Sequence, residues 1–372
     1  LYPGSYGRNN EVHGATFIYK AVTGGILKIK YINAVFPENM VDNAQIDYLP
    51  DKWSPEKIEK KLGIRTRAIA AADETSADLA TRAARQLMEK HQISPESIDF
   101  LFFCTQSPDY FLPTSACMIQ NNLGLPTTCG AVDFNLGCSG YIYGLAMARG
   151  MIDSGLIKKA IFVTGETYSK FIYEKDWSVR TIFGDAATAS LLTSDNDTFG
   201  DDRQGILKSM NGNIGNFNLG TDGAGWENLI VPYGGMRQPT GSNEEIESDN
   251  GSIRRAGDLY MHGSKIFNFT LDTVPIAVED VLVKNSMDLA DVDLFIFHQA
   301  NKHMLSALMK KCEIPSEKFY VNMVEYGNTV SNTIPIALQE VWEKGIVKKG
   351  DRIMLVGFGV GYSWGATIVT LD

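Results

Sequence analysis

VDFNLGCSGYIYGLAMARGMIDSGLIKKAIFVTGE (Val132–Glu166) opens with strand-like alternation, turns at Leu136-Gly137, and runs into a helical segment that begins with a cysteine. That segment is nearly apolar all round, broken mainly by Arg149 and Asp153, so it belongs inside a protein. A second stretch, VNMVEYGNTVSNTIPIALQEVWEKGIVKKGDRIMLVGFG (Val321–Gly359), repeats its plan: strand, turn ending in Gly plus a polar residue, helix, a G-[LI]-[IV]-K-K segment, second apolar strand. Upstream of each lies another matched pair, IDFLFFCTQSPDY (Ile98–Tyr110) and VDLFIFHQANKHM (Val292–Met304). An internal repeat of this kind outranks local propensity.

Strand–helix–strand order with near-continuous apolar strands implies parallel sheets covered by helices on both faces. Two such halves would set their central helices back to back, which accounts for the all-apolar helix after Cys138. We place the first half at residues 26–200, starting with the strand Ile26–Phe36, and the second at 201–372. Residues 1–25, rich in Gly and aromatics, read as an expression-derived leader or a loosely attached arm; they lack the charged and apolar regions of a signal peptide. The repeat also aligns Gly137-Cys138 with Gly327-Asn328, so the two turns should meet near a pseudo-twofold axis.

Composition narrows the function classes. With 44% hydrophobic and 21% charged residues the 372-residue chain is that of an ordinary globular protein. No apolar run approaches the ~20 residues of a membrane span. Five cysteines without a CxxC pair make neither a disulfide framework nor a zinc site, which favours a reducing, cytoplasmic setting. The net charge of −10 argues against nonspecific nucleic-acid binding.

Cys138 at a helix N-terminus should have a lowered pKa and a nucleophilic thiolate. Cys104, Cys117, Cys129 and Cys312 lack that setting and read as small hydrophobes. His298 closes a strand at the edge where α/β sites lie. Asn328 could be only a turn residue, but the repeat places it opposite Cys138. GFGVGYSWGA (Gly357–Ala366) has no Lys-Ser/Thr and is not a P-loop; its glycines suit a backbone N–H approaching a reacting carbonyl oxygen.

CSGYIYGLAMA, FGDAATA (Phe183–Ala189), HQAN (His298–Asn301), YGNTVSNTIPIAL (Tyr326–Leu338) and GFGVGYSWGA, in this order, resemble the β-ketoacyl–acyl-carrier-protein synthase III family of thiolase-like condensing enzymes. The resemblance runs from about Leu27 to the C-terminus. It implies a five-layered αβαβα fold, a homodimer, and catalysis by Cys138, His298 and Asn328. By that resemblance Cys138 takes an acyl group from a thioester, with the oxyanion held by the amides of Cys138 and Val360. His298 and Asn328 then serve a malonyl extender as it decarboxylates and attacks the acyl-cysteine. No metal and no permanently bound cofactor are implied; the substrates are phosphopantetheine thioesters of coenzyme A or acyl carrier protein. The expected partners are acyl carrier protein, an acyl-CoA or acyl-ACP primer and malonyl-ACP, with no nucleic acid and no membrane.

Three departures from the family pattern stand out. Lys57 and Lys61 replace a Trp and an Arg that help hold the coenzyme A adenine, His303 replaces an arginine, and Val360 interrupts a glycine run. Phe111 and Leu112 should lie at the dimer interface, Leu112 lining the partner's acyl pocket. Lys57, Lys60, Lys61, Arg65, Arg67, Asn301, Lys302, His303, Lys310 and Lys311 fall near the tunnel mouth by the same resemblance and suit docking of an acidic carrier or of coenzyme A. The alternatives are an acyltransferase of the same fold that moves the acyl group to an alcohol or amine, which retention of Asn328 disfavours, and an inactive partner subunit.

Overall fold

The computed structural model describes residues 26–46, 54–194, 209–248 and 251–372. The leader assigned to residues 1–25 and the boundary between the halves at 200/201 lie outside the described residues. Ten strands form one sheet: β1 (Leu27–Val35), β2 (Phe100–Cys104), β3 (Gly130–Phe134), β4 (Lys159–Glu166), β5 (Ala186–Ser194), β6 (Gly212–Thr221), β7 (Leu294–Phe297), β8 (Phe319–Tyr320), β9 (Arg352–Gly359) and β10 (Ser363–Leu371). Their spatial order is β8-β7-β9-β10-β6-β1-β5-β4-β2-β3.

The order divides into two five-stranded halves of the same design. In each, three strands run parallel (β3-β2-β4 and β8-β7-β9) and two add antiparallel (β5-β1 and β10-β6). The expectation of wholly parallel sheets is therefore corrected. Only the strands joined through helices are parallel; β9 and β10 are linked by three residues, and so short a connection forces an antiparallel pair. The halves meet edge to edge where β1 pairs with β6, Lys28 with Asn213 and Ile29 with Gly212, and the Met210 N–H donates to the Lys30 carbonyl at 3.0 Å.

The repeat is kept at the level of single bonds. Phe100 stands opposite Ala160 in one half and Leu294 opposite Ile353 in the other. The preceding Asp does the same work twice: Asp99 Oδ2 accepts the Lys159 N–H at 2.9 Å and Asp293 Oδ2 accepts the Arg352 N–H at 2.8 Å. In this register Cys104 corresponds to His298 and Glu166 to Gly359, and the alignment of the two turns pairs Cys138 with Asn328.

Among the described residues eight α-helices accompany this sheet: α1 (Pro55–Leu62), α2 (Ser76–Lys90), α3 (Ser115–Asn122), α4 (Gly140–Asp153), α5 (Trp177–Arg180), α6 (Gly263–Lys284), α7 (Lys302–Lys311) and α8 (Thr333–Glu343). The two repeat helices, α4 and α8, each touch strands of both halves and form the middle layer. Tyr141, Ile142 and Leu145 of α4 pack with Ile334, Leu338 and Val341 of α8 in one buried cluster. Both helices stop in the same way, at Gly155 (φ 71°) and Gly345 (φ 65°), where the left-handed backbone favours glycine. Helices α2 and α3 cover the outer face of the first half, and α6, with α7 against it, that of the second. The layers thus run α, β, α, β, α, and the fold is thiolase-like. Among the described residues no helix is long and apolar enough to cross a membrane.

Candidate active site

The chain leaves β3 and turns through Gly137 and Cys138 before α4 begins at Gly140, so the cysteine precedes the helix instead of opening it. The turn is closed by the Gly140 N–H donating to the Gly137 carbonyl at 2.8 Å. The end of β9 passes directly against it: a Cβ placed on Gly359 would lie 2.9 Å from both Cβ and Sγ of Cys138. Glycine is what lets the strand come this close. Cys138 is buried in one apolar cluster with Phe183, Val330 and Phe358.

The lowered thiol pKa expected from the helix end is not what the structure gives. Burial, and then the nearby Glu166 carboxyl, push Cys138 up to about 12. Hydrogen bonds from the backbone of Cys138 and Val360 pull the other way and are outweighed. The helix end supplies amides but sits in an apolar interior, and desolvation of a thiolate costs more than they return. The same two amides are the pair expected to hold an oxyanion.

His298 follows β7 and donates its backbone N–H to Val356 of β9 at 2.8 Å. Its ring Nδ1 lies 2.8 Å from the Thr333 hydroxyl and its Nε2 lies 3.4 Å from Asn328 Nδ2. Burial lowers its pKa to about 3, so the imidazole is neutral. Asn328 is fixed by its own loop: its Oδ1 accepts the Val330 N–H at 2.9 Å. That bond holds Val330 at φ 58°, a left-handed conformation costly for a β-branched residue. The FGDAATA motif docks this loop, since Phe183 bridges to Asn328 and the Asn328 N–H donates to Ile182 at 2.9 Å. Asp185 in turn accepts the N–H groups of Ala70 (2.8 Å) and Ser169 (3.0 Å).

Three residues near this centre escaped the sequence reading. Thr333 contacts the histidine ring, and Ser331 and Glu166 meet through a 3.1 Å hydrogen bond. The repeat offered one signal for Glu166, a lone acidic residue where its counterpart is Gly359.

The residues expected near the tunnel mouth divide. Lys61, Asn301 and His303 line a cavity of about 740 Å³ together with Trp177, Met261 and Phe267. Its wall includes Ile182, the residue that anchors Asn328. His303 stacks on Phe267 with ring centres 5.1 Å apart. Asn301 is also the cap of α7, its Oδ1 accepting the Met304 N–H at 3.0 Å. Lys60 and Lys302 line a separate groove of about 590 Å³ between α1 and α7. Lys57, Lys310 and Lys311 are exposed and line neither, and Lys311 pairs with Asp272 at 3.7 Å. Arg65 pairs with Glu325 on the surface. Arg67 is no part of a surface patch: it is 1% exposed and donates to Asn43 Oδ1 (2.9 Å) and the Phe183 carbonyl (3.2 Å). Its guanidinium braces the loops behind Asn328. Phe111 and Leu112 are 74% and 81% exposed.

Residues 132–223 match the family described as 3-oxoacyl-[acyl-carrier-protein (ACP)] synthase III, and residues 282–371 match its C-terminal family. A β-ketoacyl-[acyl-carrier-protein] synthase III of Caldanaerobacter subterraneus subsp. tengcongensis is 34% identical over 333 residues, covering 90% of this chain and 94% of that one. The protein of the same name from Fusobacterium nucleatum is 35% identical over 341 residues, covering 92% and 97%. A crystal structure of a 3-oxoacyl-(acyl-carrier-protein) synthase III superposes with a TM-score of 0.86 at 43% identity, covering 93% of this chain and 100% of that one. These likenesses extend over both halves of the fold, and the chain belongs to the β-ketoacyl-[acyl-carrier-protein] synthase III family.

Proposed function

We propose that the chain joins an acyl thioester primer to malonyl-ACP by decarboxylative Claisen condensation through an acyl-cysteine. One arrangement carries the reading: an Asn328 amide with its oxygen already engaged and its nitrogen beside a neutral His298, in a site that also buries the Cys138 thiol. In the first half-reaction Cys138 Sγ bonds to the primer carbonyl carbon, and the carrier thiol leaves with the proton the cysteine gives up. Because the resting thiol is neutral, that proton departs as the S–C bond forms, while the Cys138 and Val360 amides receive the oxyanion.

In the second half-reaction the malonyl carboxylate leaves as CO₂ and its bonding pair becomes an enolate. Asn328 Nδ2 and His298 Nε2 suit the enolate oxygen as a pair of donors. For Nε2 to donate, the ring proton must sit there, with the Thr333 hydroxyl turned from the Val330 carbonyl, 3.2 Å away, to Nδ1 at 2.8 Å. The enolate carbon attacks the acyl-cysteine, the C–S bond breaks, and the Cys138 thiolate takes a proton from solvent as the β-ketoacyl thioester departs. A doubly occupied donor pair serves the transition state more than the ground state.

The cavity lined by Lys61, Trp177 and His303 is the route we assign to the phosphopantetheine arm, and the exposed Phe111-Leu112 segment the contact of a homodimer. The test is to supply acyl-CoA or acyl-ACP with malonyl-ACP and follow the Cys138 adduct by mass and CO₂ separately. Asn328→Ala should still acylate while malonyl-dependent CO₂ release falls about 10²-fold or more. Equal loss of both half-reactions, or an adduct on another cysteine with Cys138 bare, refutes the assignment.

A further inference from the structure

The condensation leaves the Glu166 carboxyl, whose charge acts on Cys138, without a task. Glu166 ends β4 and is completely buried. Its carboxyl accepts the Gln106 N–H (3.1 and 3.2 Å to its two oxygens), the Ser107 hydroxyl (3.1 Å) and the Ser331 hydroxyl (3.1 Å). Ser107 Oγ itself accepts the Thr167 N–H at 3.0 Å, which leaves its proton for the carboxyl. Gln106 and Ser107 follow β2 in the first half, whereas Ser331 belongs to the Asn328 loop of the second. Glu166 therefore bridges the halves at the site. The ionisable groups that face it are Cys104, Cys138, Tyr168 and Asp185, none of them a cation.

We propose that Glu166 is a positioning residue that ties the Asn328 loop to the half carrying Cys138 and, when charged, opposes ionisation of the Cys138 thiol. This rests on the reading of Cys138 as nucleophile and Asn328 as enolate donor. The tie follows from the hydrogen bonds, and the effect on the thiol from two groups buried in the same interior, where the Glu166 charge acts on Cys138. A carboxylate accepts from all three donors at once, whereas a protonated carboxyl donates at one oxygen and must reverse or give up one of the serine bonds. A negative charge close to the sulfur also disfavours a second one. Burial raises Glu166 to about 8, so its charge changes near neutral pH and the pair titrates as a coupled unit.

The test measures iodoacetamide alkylation of Cys138, quantified by mass, against pH in wild type, Glu166→Gln and Ser331→Ala. Glu166→Gln keeps the shape and removes the charge; its alkylation midpoint should fall, with about tenfold faster labelling at fixed pH per unit of fall. Ser331→Ala keeps the carboxyl but removes a hydrogen bond that favours its charged form; well above pH 8 its alkylation rate should stay near wild type while malonyl-dependent CO₂ release drops more than acylation. A merely structural carboxyl would leave the Glu166→Gln midpoint unmoved, and that result overturns the electrostatic role. Equal loss of both half-reactions in Ser331→Ala overturns the tie. Should Glu166→Gln not fold, wild type alone decides: a rate profile with a break near pH 8 supports the coupling, and a single-ionisation curve refutes it. A Cys138 that never reacts at any pH overturns the nucleophile reading itself, a different failure from an unmoved midpoint.

Discussion

Gly359→Ala tests the close approach of β9 to the nucleophile. The new methyl would sit 2.9 Å from both Cβ and Sγ of Cys138, where carbon contacts prefer about 3.5–4.0 Å. Relief requires the sulfur or the strand end to move by about 0.6–1 Å, and β9 is held on both sides by β7 and β10. Overpacking of this size costs about 1–3 kcal/mol. For 372 residues the unfolding entropy is about 0.8 kcal/mol/K, so Tm should fall by only about 1–4 °C. The catalytic cost is far larger, because the moved atoms are the nucleophile and the strand that presents the Val360 amide. A 1 Å misplacement there costs about 10²-fold in rate. Stopped-flow quench with mass detection of the acyl-enzyme, beside a thermal melt, gives both numbers on one sample. Acylation at the wild-type rate, with Tm unchanged, would refute the claim that glycine is required by Cys138.

Other outcomes follow from the same geometry. His298 is neutral when folded, with a pKa of about 3 against about 6.5 unfolded, so the unfolded chain alone binds that proton between these values. The stability it allows is present above pH 6.5 and lost as pH falls toward 3; denaturant melts of His298→Gln should show a flatter acid limb. Leu112→Trp should cut kcat/KM for the longest accepted primer about tenfold or more, about 1.4 kcal/mol, and light scattering should show wild type as a dimer. A fully active monomer at micromolar concentration defeats the interface. Lys61→Glu should raise KM for an acyl-ACP primer about fivefold at low salt, about 1 kcal/mol, with the difference fading at high salt. A salt-independent preference for acyl-CoA that this substitution leaves alone would refute carrier docking there.

The repeat and five motifs were enough to read the layers and to single out Cys138, His298 and Asn328 as candidates. His298 follows a strong strand, and Cys138 and Asn328 lie in the matched turns that lead from strand to helix, so their places follow from the local pattern. What stayed hidden depends on distant neighbours. Glu166 and Ser331 are 165 positions apart, and nothing near either one announces the bond between them. Arg67 looked like one more surface charge because its partners, Asn43 and Phe183, come from other parts of the chain. The thiol was misread for a related reason: a helix end is visible in sequence, but the depth of the interior that outweighs it is not. The strand directions went astray because a three-residue link between β9 and β10 was read as part of a glycine loop.

The internal correspondence of the halves puts the active site in an unusual position. Cys104 and His298, Cys138 and Asn328, Glu166 and Gly359 are matched pairs, and members of all three gather about the same sulfur. A duplicated chain usually inherits two copies of a cleft, one of which is free to decay. Here the cleft straddles the axis and occurs once, so duplication supplied two versions of every position within it. The symmetry is broken differently at each pair: in the proposed reaction His298 acts opposite the filler Cys104, Cys138 and Asn328 serve different half-reactions, and Glu166 brings a charge opposite the spacer Gly359. Acyl capture and carbanion formation could then be refined by changes in opposite halves, with neither half able to perform the reaction alone.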